Sequence, residues 1–256
     1  RKHQELLKHY DFEYNLQEHE DEWFEGIKAL RQFPFVDGEY FLNKALDDEK
    51  SVLAEGAQGT LLDIDYGSYP FVTSSTTISS GALIGLGVPS RRVGEVYGIF
   101  KAYSTRVGSG PFPTELHDKL GQKLQEAGNE YGATTGRPRR CGWLDLVALK
   151  YAVMINGVTQ LIMTKADVLD HMDSIQVATH YKTGSGITDH FPFDIEENVE
   201  PVYREFKGWS TELKEAREYE GLPDSFKAYV EFLEQELQVP IKIISVGPNR
   251  QETIFR

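Results

Sequence analysis

Apolar positions recur at helical spacing near both ends of the chain, with strand-like runs and turn residues between them. Over residues 1–33, Leu6, Leu7, Tyr10, Trp23, Phe24, Ile27 and Leu30 stand among dense charge at intervals that one side of a helix can collect. Pro34 and Asp37-Gly38 interrupt that pattern. The short apolar run Ser51-Val52-Leu53-Ala54 reads as a buried strand opening into Glu55-Gly56-Ala57-Gln58-Gly59-Thr60, the kind of glycine-bearing loop where open α/β sheets place ligands. Residues 60–115 are the least regular part, dominated by Ser, Thr and Gly around positions 73–81 and 108–110. A better-defined helix follows, with Trp143, Leu144, Val147, Ala148, Tyr151, Ala152 and Ile155 at helical spacing and Asn156-Gly157 as its stop. It runs into a strand at Gln160-Leu161-Ile162-Met163-Thr164 and a polar loop at Lys165-Ala166-Asp167. Ile175 to Tyr181 reads as another strand, with a hairpin at Thr183-Gly184-Ser185-Gly186, and the acidic stretch from Asp194 to Glu200 as a solvated face. A last helix starts at an Asp224 or Ser225 N-cap, carries Phe226, Tyr229, Val230, Leu233 and Leu237, and stops before Pro240. Ile241 to Val246 then closes as a strand into Gly247. Helix, tight turn, strand and polar loop in this order predict an α/β sheet in one continuous body over residues 1–256.

Composition narrows the functions open to that body. The chain has 256 residues, 40% hydrophobic and 26% charged, which suits a folded domain with a real core. With 27 Lys plus Arg against 40 Asp plus Glu, the net charge is −13, a poor match for nucleic acid or an anionic membrane. One cysteine, Cys141, leaves no internal disulfide framework and favours a reducing, cytoplasmic compartment. No apolar run approaches the roughly 20 residues of a membrane span. The seven histidines show no metal-ligand spacing, so no metal site is expected. There is no Gly-x-x-x-x-Gly-Lys-[Ser/Thr] loop, no His-Glu-x-x-His and no Gly-x-Ser-x-Gly elbow. The glycines of residues 81–87 come in the wrong order for a dinucleotide fingerprint and read as backbone packing.

Two loops carry chemistry. Ala133-Thr134-Thr135-Gly136-Arg137-Pro138-Arg139-Arg140 puts three arginines into four residues of an acidic chain. Guanidinium forks bind carboxylate or phosphate bidentately, and a Thr-Thr-Gly turn adds hydroxyl and N–H donors for the same anion. A surface patch paired with nearby acids fits the same residues. The second loop, Thr164-Lys165-Ala166-Asp167, resembles the Asn-Lys-x-Asp loop with which GTP-binding proteins read their base. An Asp carboxylate there accepts from guanine N1–H and the exocyclic amine, a pair adenine does not offer, while the Lys stem lies along the base face. By itself, Lys-x-Asp is more often a solvated strand end. Ser245-Val246-Gly247-Pro248-Asn249-Arg250 is a further polar strand-to-loop transition.

In combination these stretches are specific. Residues Glu55 to Asp65, Tyr69 to Ser75, Lys101 to Gly108, Pro111 to Leu116, Gly132 to Trp143 and Thr164 to Asp170 resemble adenylosuccinate synthetase in order and spacing, densely over 50–256 and more loosely over 1–50. The resemblance implies a P-loop-NTPase-like α/β fold, a mostly parallel sheet flanked by helices with irregular ligand-binding loops. Residues 1–50 would form a helical subregion, and 51–256 the nucleotide-, IMP- and aspartate-binding region. It implies ligation of L-aspartate to IMP driven by GTP in two steps: phosphorylation of the IMP 6-oxygen, then displacement of phosphate by the aspartate amine. Gln58 would act at the 6-oxygen, Thr73 at the 5′-phosphate, and Arg137 would also lie near IMP. Ala133, Thr134, Thr135, Gly136, Arg137, Pro138 and Arg139 would form the aspartate loop, with Arg139 also near GTP. Lys165, Ala166 and Asp167 would read guanine, and Ser245, Val246 and Gly247 would close the base pocket. A cytoplasmic homodimer and Mg²⁺ are implied as well. Departures are equally plain: the family's Gly-Asp-Glu-Gly-Lys-Gly loop, with its general base, Mg²⁺ ligand and general-acid His, does not occur in these residues, and Thr76 and Ser79-Ser80 differ from the usual IMP-side loop. The expectation is therefore a C-terminal portion of a synthetase, inactive alone; the alternative is a non-catalytic guanine-nucleotide module.

Overall fold

Among the described residues, helices are the regular elements of the first of two compact units, residues 1–52 and 53–256. The computed structural model describes residues 2–10, 15–132, 136–193, 195 and 199–256. In the first unit α1 (Lys2–Leu7), α2 (Leu16–Leu30) and α3 (Gly38–Asp47) follow one another. Asn15 caps α2, its side chain accepting from the Gln17 N–H at 3.2 Å. The run at 51–54 forms no strand; it straddles the boundary between the units and leaves Leu53 87% exposed.

In the second unit the described elements are, in order, α4 (Ser79–Leu86), β1 (Tyr97–Lys101), β2 (Ser104–Arg106), α5 (Lys119–Ala127), β3 (Arg140–Gly142), β4 (Leu144–Asp145), α6 (Leu146–Asn156), β5 (Gln160–Thr164), β6 (Ser174–Thr183), β7 (Gly186–Thr188), β8 (Glu200–Lys207), α7 (Asp224–Leu237), β9 (Ile241–Ser245) and β10 (Thr253–Phe255). Strands β1, β5 and β9 run parallel and side by side, with β10 antiparallel at the β9 edge. Leu161, Met163, Ile241 and Ile244 are buried in the same core as α7, as a parallel sheet covered by helices requires. A second sheet pairs β4 parallel to β6, with β7 and β8 antiparallel on β6. Strands β2 and β3 form a separate antiparallel pair in which Arg106 faces Arg140. The architecture is α/β, with mixed sheets whose parallel strands are flanked by helices.

Several boundaries differ from expectation for local reasons. Leu144-Asp145 pairs with β6 as a strand, so the helix starts only at Leu146, where the Asp145 side chain caps it by accepting the Ala148 N–H at 3.1 Å. Its stop is as expected, with Gly157 left-handed at φ +60°. Helix α7 begins at Asp224, so Pro223 occupies the N-cap position. Glu200, expected on a solvated face, opens β8; residues 194 and 196–198 of that stretch lie outside the described residues.

Candidate active site

Parallel strands deliver their C-terminal ends to one edge of a sheet, which is where α/β proteins gather ligands. Here β1 ends at Lys101, β5 leads into Lys165 and β9 leads into Val246, and the register places Lys101 beside Thr164 and Met163 beside Ile244. Lys165 is left-handed (φ +58°), a conformation uncommon for a side-chain-bearing residue, and it turns the chain into the short helix Ala166–Leu169. Asp167 from that turn and Val246 and Gly247 from the β9 loop line one cavity of about 210 Å³, shared with Glu252, His171 and Lys214. Burial lifts the Asp167 carboxyl above its ordinary value, with Lys165 opposing the shift.

The cavity wall is fixed from behind. Asp170 accepts from Trp209 Nε1 and from the Leu213 N–H, both at 2.9 Å. Ser245 Oγ donates to the Gly247 carbonyl at 2.9 Å, and Glu252 accepts from the Asn249 N–H at 2.8 Å. A Cβ on Gly247 would stand 2.7 Å from the Glu252 Cδ, so only glycine fits against that held side chain. Ala166 is packed in the core. Lys165 points away from the cavity wall: its ammonium donates to the Gly128 carbonyl and lies 3.5 Å from Glu130.

The described residues flanking the arginine loop pair antiparallel to one another. Arg139 N–H donates to the Glu130 carbonyl at 2.9 Å, Tyr131 bridges Pro138, and Gly132 N–H donates to the Arg137 carbonyl at 2.8 Å. Ala133, Thr134 and Thr135 lie outside the described residues; Gly136, Arg137 and Pro138 are exposed. The other two arginines face inward. Arg139 pairs with Glu130 at 2.8 Å, and Arg140 grips Glu115 through Nε at 2.8 and 2.9 Å and through a second guanidinium nitrogen. Pairing with acids, one of the two meanings open for this charge cluster, thus accounts for both.

Glu130 is the acid the sequence pattern did not single out. Wholly buried, it receives Lys101 at 2.7 Å and the Tyr103 hydroxyl at 2.5 Å on Oε1, and Arg139 on Oε2. Burial works against its charge, but these donors win and hold the carboxyl down at about 2. Burial and the hydrogen bond to Glu130 push the Tyr103 phenol far above its ordinary value. The available signal was one carboxylate between Gly128 and Gly132, next to a cluster of cations in need of a counter-charge.

The segment around Gln58 and Thr73 is knitted by a second buried carboxylate. Asp63 accepts backbone N–H groups of Asp65, Tyr66, Thr77 and Ile78 at 2.7 to 3.1 Å. Although burial opposes ionisation, these four donors keep it below the usual carboxylate range. Thr73 N–H donates to the Leu62 carbonyl at 2.8 Å, and Thr77 Oγ1 donates to the Gly59 carbonyl at 2.7 Å. Asn156, at the end of α6, donates to Thr60 Oγ1 at 2.9 Å and accepts the Ser79 N–H at 2.8 Å. Gln58 itself is exposed and left-handed at φ +64°, a strained conformation held by a braced neighbourhood. Arg106 ties this segment to the β2–β3 pair: it donates to Ser68 Oγ and the Phe71 carbonyl, both at 3.1 Å, and to the Ser109 carbonyl at 3.0 Å. Its strand partner Arg140 donates to the Gly108 and Gly110 carbonyls at 3.2 and 2.8 Å. Among the described residues no three His, Cys, Asp or Glu converge to hold a metal ion, and no helix is long and apolar enough to cross a membrane.

Known proteins match this chain over nearly all of its length. A family model for adenylosuccinate synthetase matches residues 1–254. An adenylosuccinate synthetase of Parabacteroides distasonis is 57% identical over 255 residues, and one of Bacteroides thetaiotaomicron is 58% identical; each match covers all of this chain and 60% of the relative. The chain thus spans about 60% of the length of the curated relatives it matches. A solved adenylosuccinate synthetase from Plasmodium falciparum superposes with a TM-score of 0.91 at 39% identity, over 99% of this chain and 62% of that one. A succinoaminodeoxyadenylate synthetase of cyanophage S-2L, 18% identical with a TM-score of 0.55 over 89% of this chain and 54% of that one, shares the fold alone. With a family model covering residues 1–254, the chain belongs to the adenylosuccinate synthetase family.

Proposed function

We propose that this chain supplies the guanine pocket, the IMP-side loop and the aspartate loop of a cytoplasmic, homodimeric enzyme that ligates L-aspartate to IMP, giving adenylosuccinate, GDP and phosphate. The observation that carries the proposal is the meeting of Asp167 with Val246 and Gly247 in one cavity. In the first step N1 of IMP gives up its proton to a base as the γ-phosphoryl group of GTP passes to the 6-oxygen, and GDP leaves. In the second, the aspartate amine bonds to C6, phosphate departs with that oxygen, and the amine gives up its proton.

Each proposed contact has a chemical reason. Asp167 accepts the guanine N1–H and 2-amino protons as a charge-assisted pair. Gln58 offers an amide N–H where negative charge grows on the 6-oxygen, and its fixed backbone means little reorganisation is needed during reaction. Thr73 donates to the IMP 5′-phosphate. Thr134, Thr135, Arg137 and Arg139 take the aspartate carboxylates, with Arg137 also facing IMP and Arg139 GTP. Ala133, Gly136 and Pro138 shape that loop, and Lys165, Ala166 and Ser245 frame the base. Mg²⁺ and the phosphate loop belong to residues outside these 256, so these residues alone are expected not to turn over.

Specificity for the base tests the reading. In the full-length protein, Asp167→Asn should lower kcat/KM for GTP by about 10- to 100-fold, the loss of about 1.5–3 kcal/mol of charge-assisted hydrogen bonding. The same change should raise use of xanthosine triphosphate, whose 2-oxo group accepts from an Asn amide. Unchanged GTP use in the variant would sink the guanine assignment. Nucleotide binding without turnover in the full-length protein would favour a non-catalytic module.

A further inference from the structure

Glu130 links two loops to which the proposed function gives separate substrates. Its Oε2 holds Arg139 of the arginine loop, at 2.8 Å. Its Oε1 holds Lys101 at the end of β1, with the Lys165 ammonium of the guanine-side loop 3.5 Å away. Three cations thus share one wholly buried carboxylate, and two of them sit in different ligand loops.

The surroundings make this an arrangement with little slack. Glu130 is anchored through its backbone, its carbonyl accepting the Arg139 N–H at 2.9 Å and its own N–H donating to the Gln125 carbonyl at 2.8 Å. Gln125 Nε2 in turn donates to the Arg139 carbonyl at 2.6 Å, so both paired flanks of the arginine loop are bound to α5. The Tyr103 hydroxyl, fully buried, occupies another lone pair of Oε1 at 2.5 Å. A carboxylate so surrounded cannot follow one cation without altering its hold on the others.

We propose that Glu130 is a positioning residue that couples the aspartate loop to the guanine loop, setting Arg139 for one ligand through the same carboxylate that Lys165 approaches on the other side. This rests on the reading that residues 133–139 receive aspartate and residues 165–167 receive guanine. Glu130 touches no substrate and acts through Arg139 and Lys165. An anion that draws Arg139 outward leaves Oε2 to the remaining cations and shifts the balance at Lys165. Coupling of this kind is reciprocal for binding: GTP changes aspartate affinity by the same factor as aspartate changes GTP affinity.

The test uses the full-length protein, with aspartate KM measured at low and saturating GTP for wild type, Glu130→Gln, Glu130→Asp, Arg139→Lys and the Glu130→Gln/Arg139→Lys double variant. Expected in Glu130→Gln is an aspartate KM raised about tenfold, a kcat within about threefold of wild type, and an aspartate KM that no longer responds to GTP. Glu130→Asp should restore part of the response. Arg139→Lys should raise aspartate KM by itself, and should add little once Glu130 is Gln, since the two act as a unit. Independent, multiplying effects of the two substitutions would overturn the proposal. So would a Glu130→Gln enzyme with lower kcat but unchanged KM values, the mark of fewer folded molecules. Should Glu130→Gln fail to fold, Arg139→Lys and Glu130→Asp still decide it: an aspartate KM in both that responds to GTP as in wild type overturns it. A wild-type protein that does not consume IMP, GTP and aspartate defeats the proposed function instead, and that outcome is visible before any variant is compared.

Discussion

Asp145 offers a quantitative test of the fold that bears on no substrate. Its carboxylate is buried at the junction of β4 and α6, where it accepts the Ala148 N–H at 3.1 Å and the Tyr181 hydroxyl at 2.5 Å. Burial outweighs these hydrogen bonds and pushes the carboxyl up from 3.8 to about 6. Over that window the folded chain binds more protons than the unfolded chain, so Asp145 withdraws stability as pH rises from about 4 to 6. Above pH 6 the ionised group costs on the order of 3 kcal/mol relative to its protonated state. Asp145→Asn keeps an oxygen to accept the Ala148 N–H, turns an N–H donor toward the Tyr181 oxygen as the protonated acid does, and removes the charge. The variant should therefore unfold at the same urea concentration as wild type near pH 4, and at a higher one at pH 7, by about 1–3 M for a urea slope of 1–3 kcal/mol/M. Asp145→Ala should be less stable than Asp145→Asn at both, because the cap is lost and the Tyr181 hydroxyl is stranded, at about 1–3 kcal/mol for such a group. Comparing variant with wild type at each pH cancels the other titrating groups. A gap between Asp145→Asn and wild type that stays constant from pH 4 to 7 would refute the argument.

Other substitutions separate bracing from binding. Arg140→Ala, which removes the grip on Glu115 and on the 108–110 carbonyls, should lower stability by about 2–4 kcal/mol, since it strips several hydrogen bonds to a charged group; thermal melting should show Arg137→Ala disturbing the fold less while weakening aspartate binding more. Gln58→Gly should leave the melting temperature unchanged or raise it, because a residue at φ +64° holds about 1 kcal/mol or more of backbone strain that glycine does not, yet the full-length enzyme should lose activity. Gly247→Ala should raise the KM for GTP without touching that for aspartate, because its methyl would displace the Glu252 side chain that closes the base cavity.

Periodicity revealed the elements with long self-contained patterns and missed those made by pairing. Helices α2, α6 and α7 and strands β5, β6 and β9 are each visible in their own apolar spacing. Strands β2, β3 and β4 are two or three residues long and exist because Arg106 faces Arg140 and Leu144 faces Val177. Strand β8 is half-exposed and rich in charge, so no apolar alternation marks it, yet it pairs with β6 along eight residues. The 51–54 run failed in the opposite way: its apolar content suggested a buried strand, but Val52 and Leu53 are exposed and pair with no described strand. The site divides along the same line. Asp167, Gly247 and the arginine loop stand out because loops advertise chemistry by residue type. Glu130, Asp63 and Asn156 do not, because their role depends on which donors the fold brings to them.

That division reconciles an acidic chain with the anionic ligands proposed for it. Net charge describes the surface as a whole, whereas binding depends on the few cations whose partners are already fixed. Arg140 is saturated by Glu115 and by two carbonyls, so it stiffens the loop it belongs to. Arg139, Lys101 and Lys165 together outnumber the one carboxylate between them, and that imbalance sits at the end of two parallel strands. A surplus of positive charge around a buried anion is costly unless something negative completes it. The local charge therefore favours an anion at this edge of the sheet. Neutralising Glu130 alone would make that surplus larger and yet leave Arg139 without its anchor. If aspartate affinity nevertheless rose in Glu130→Gln, charge would outweigh placement, and the geometric account of this loop would have to be abandoned.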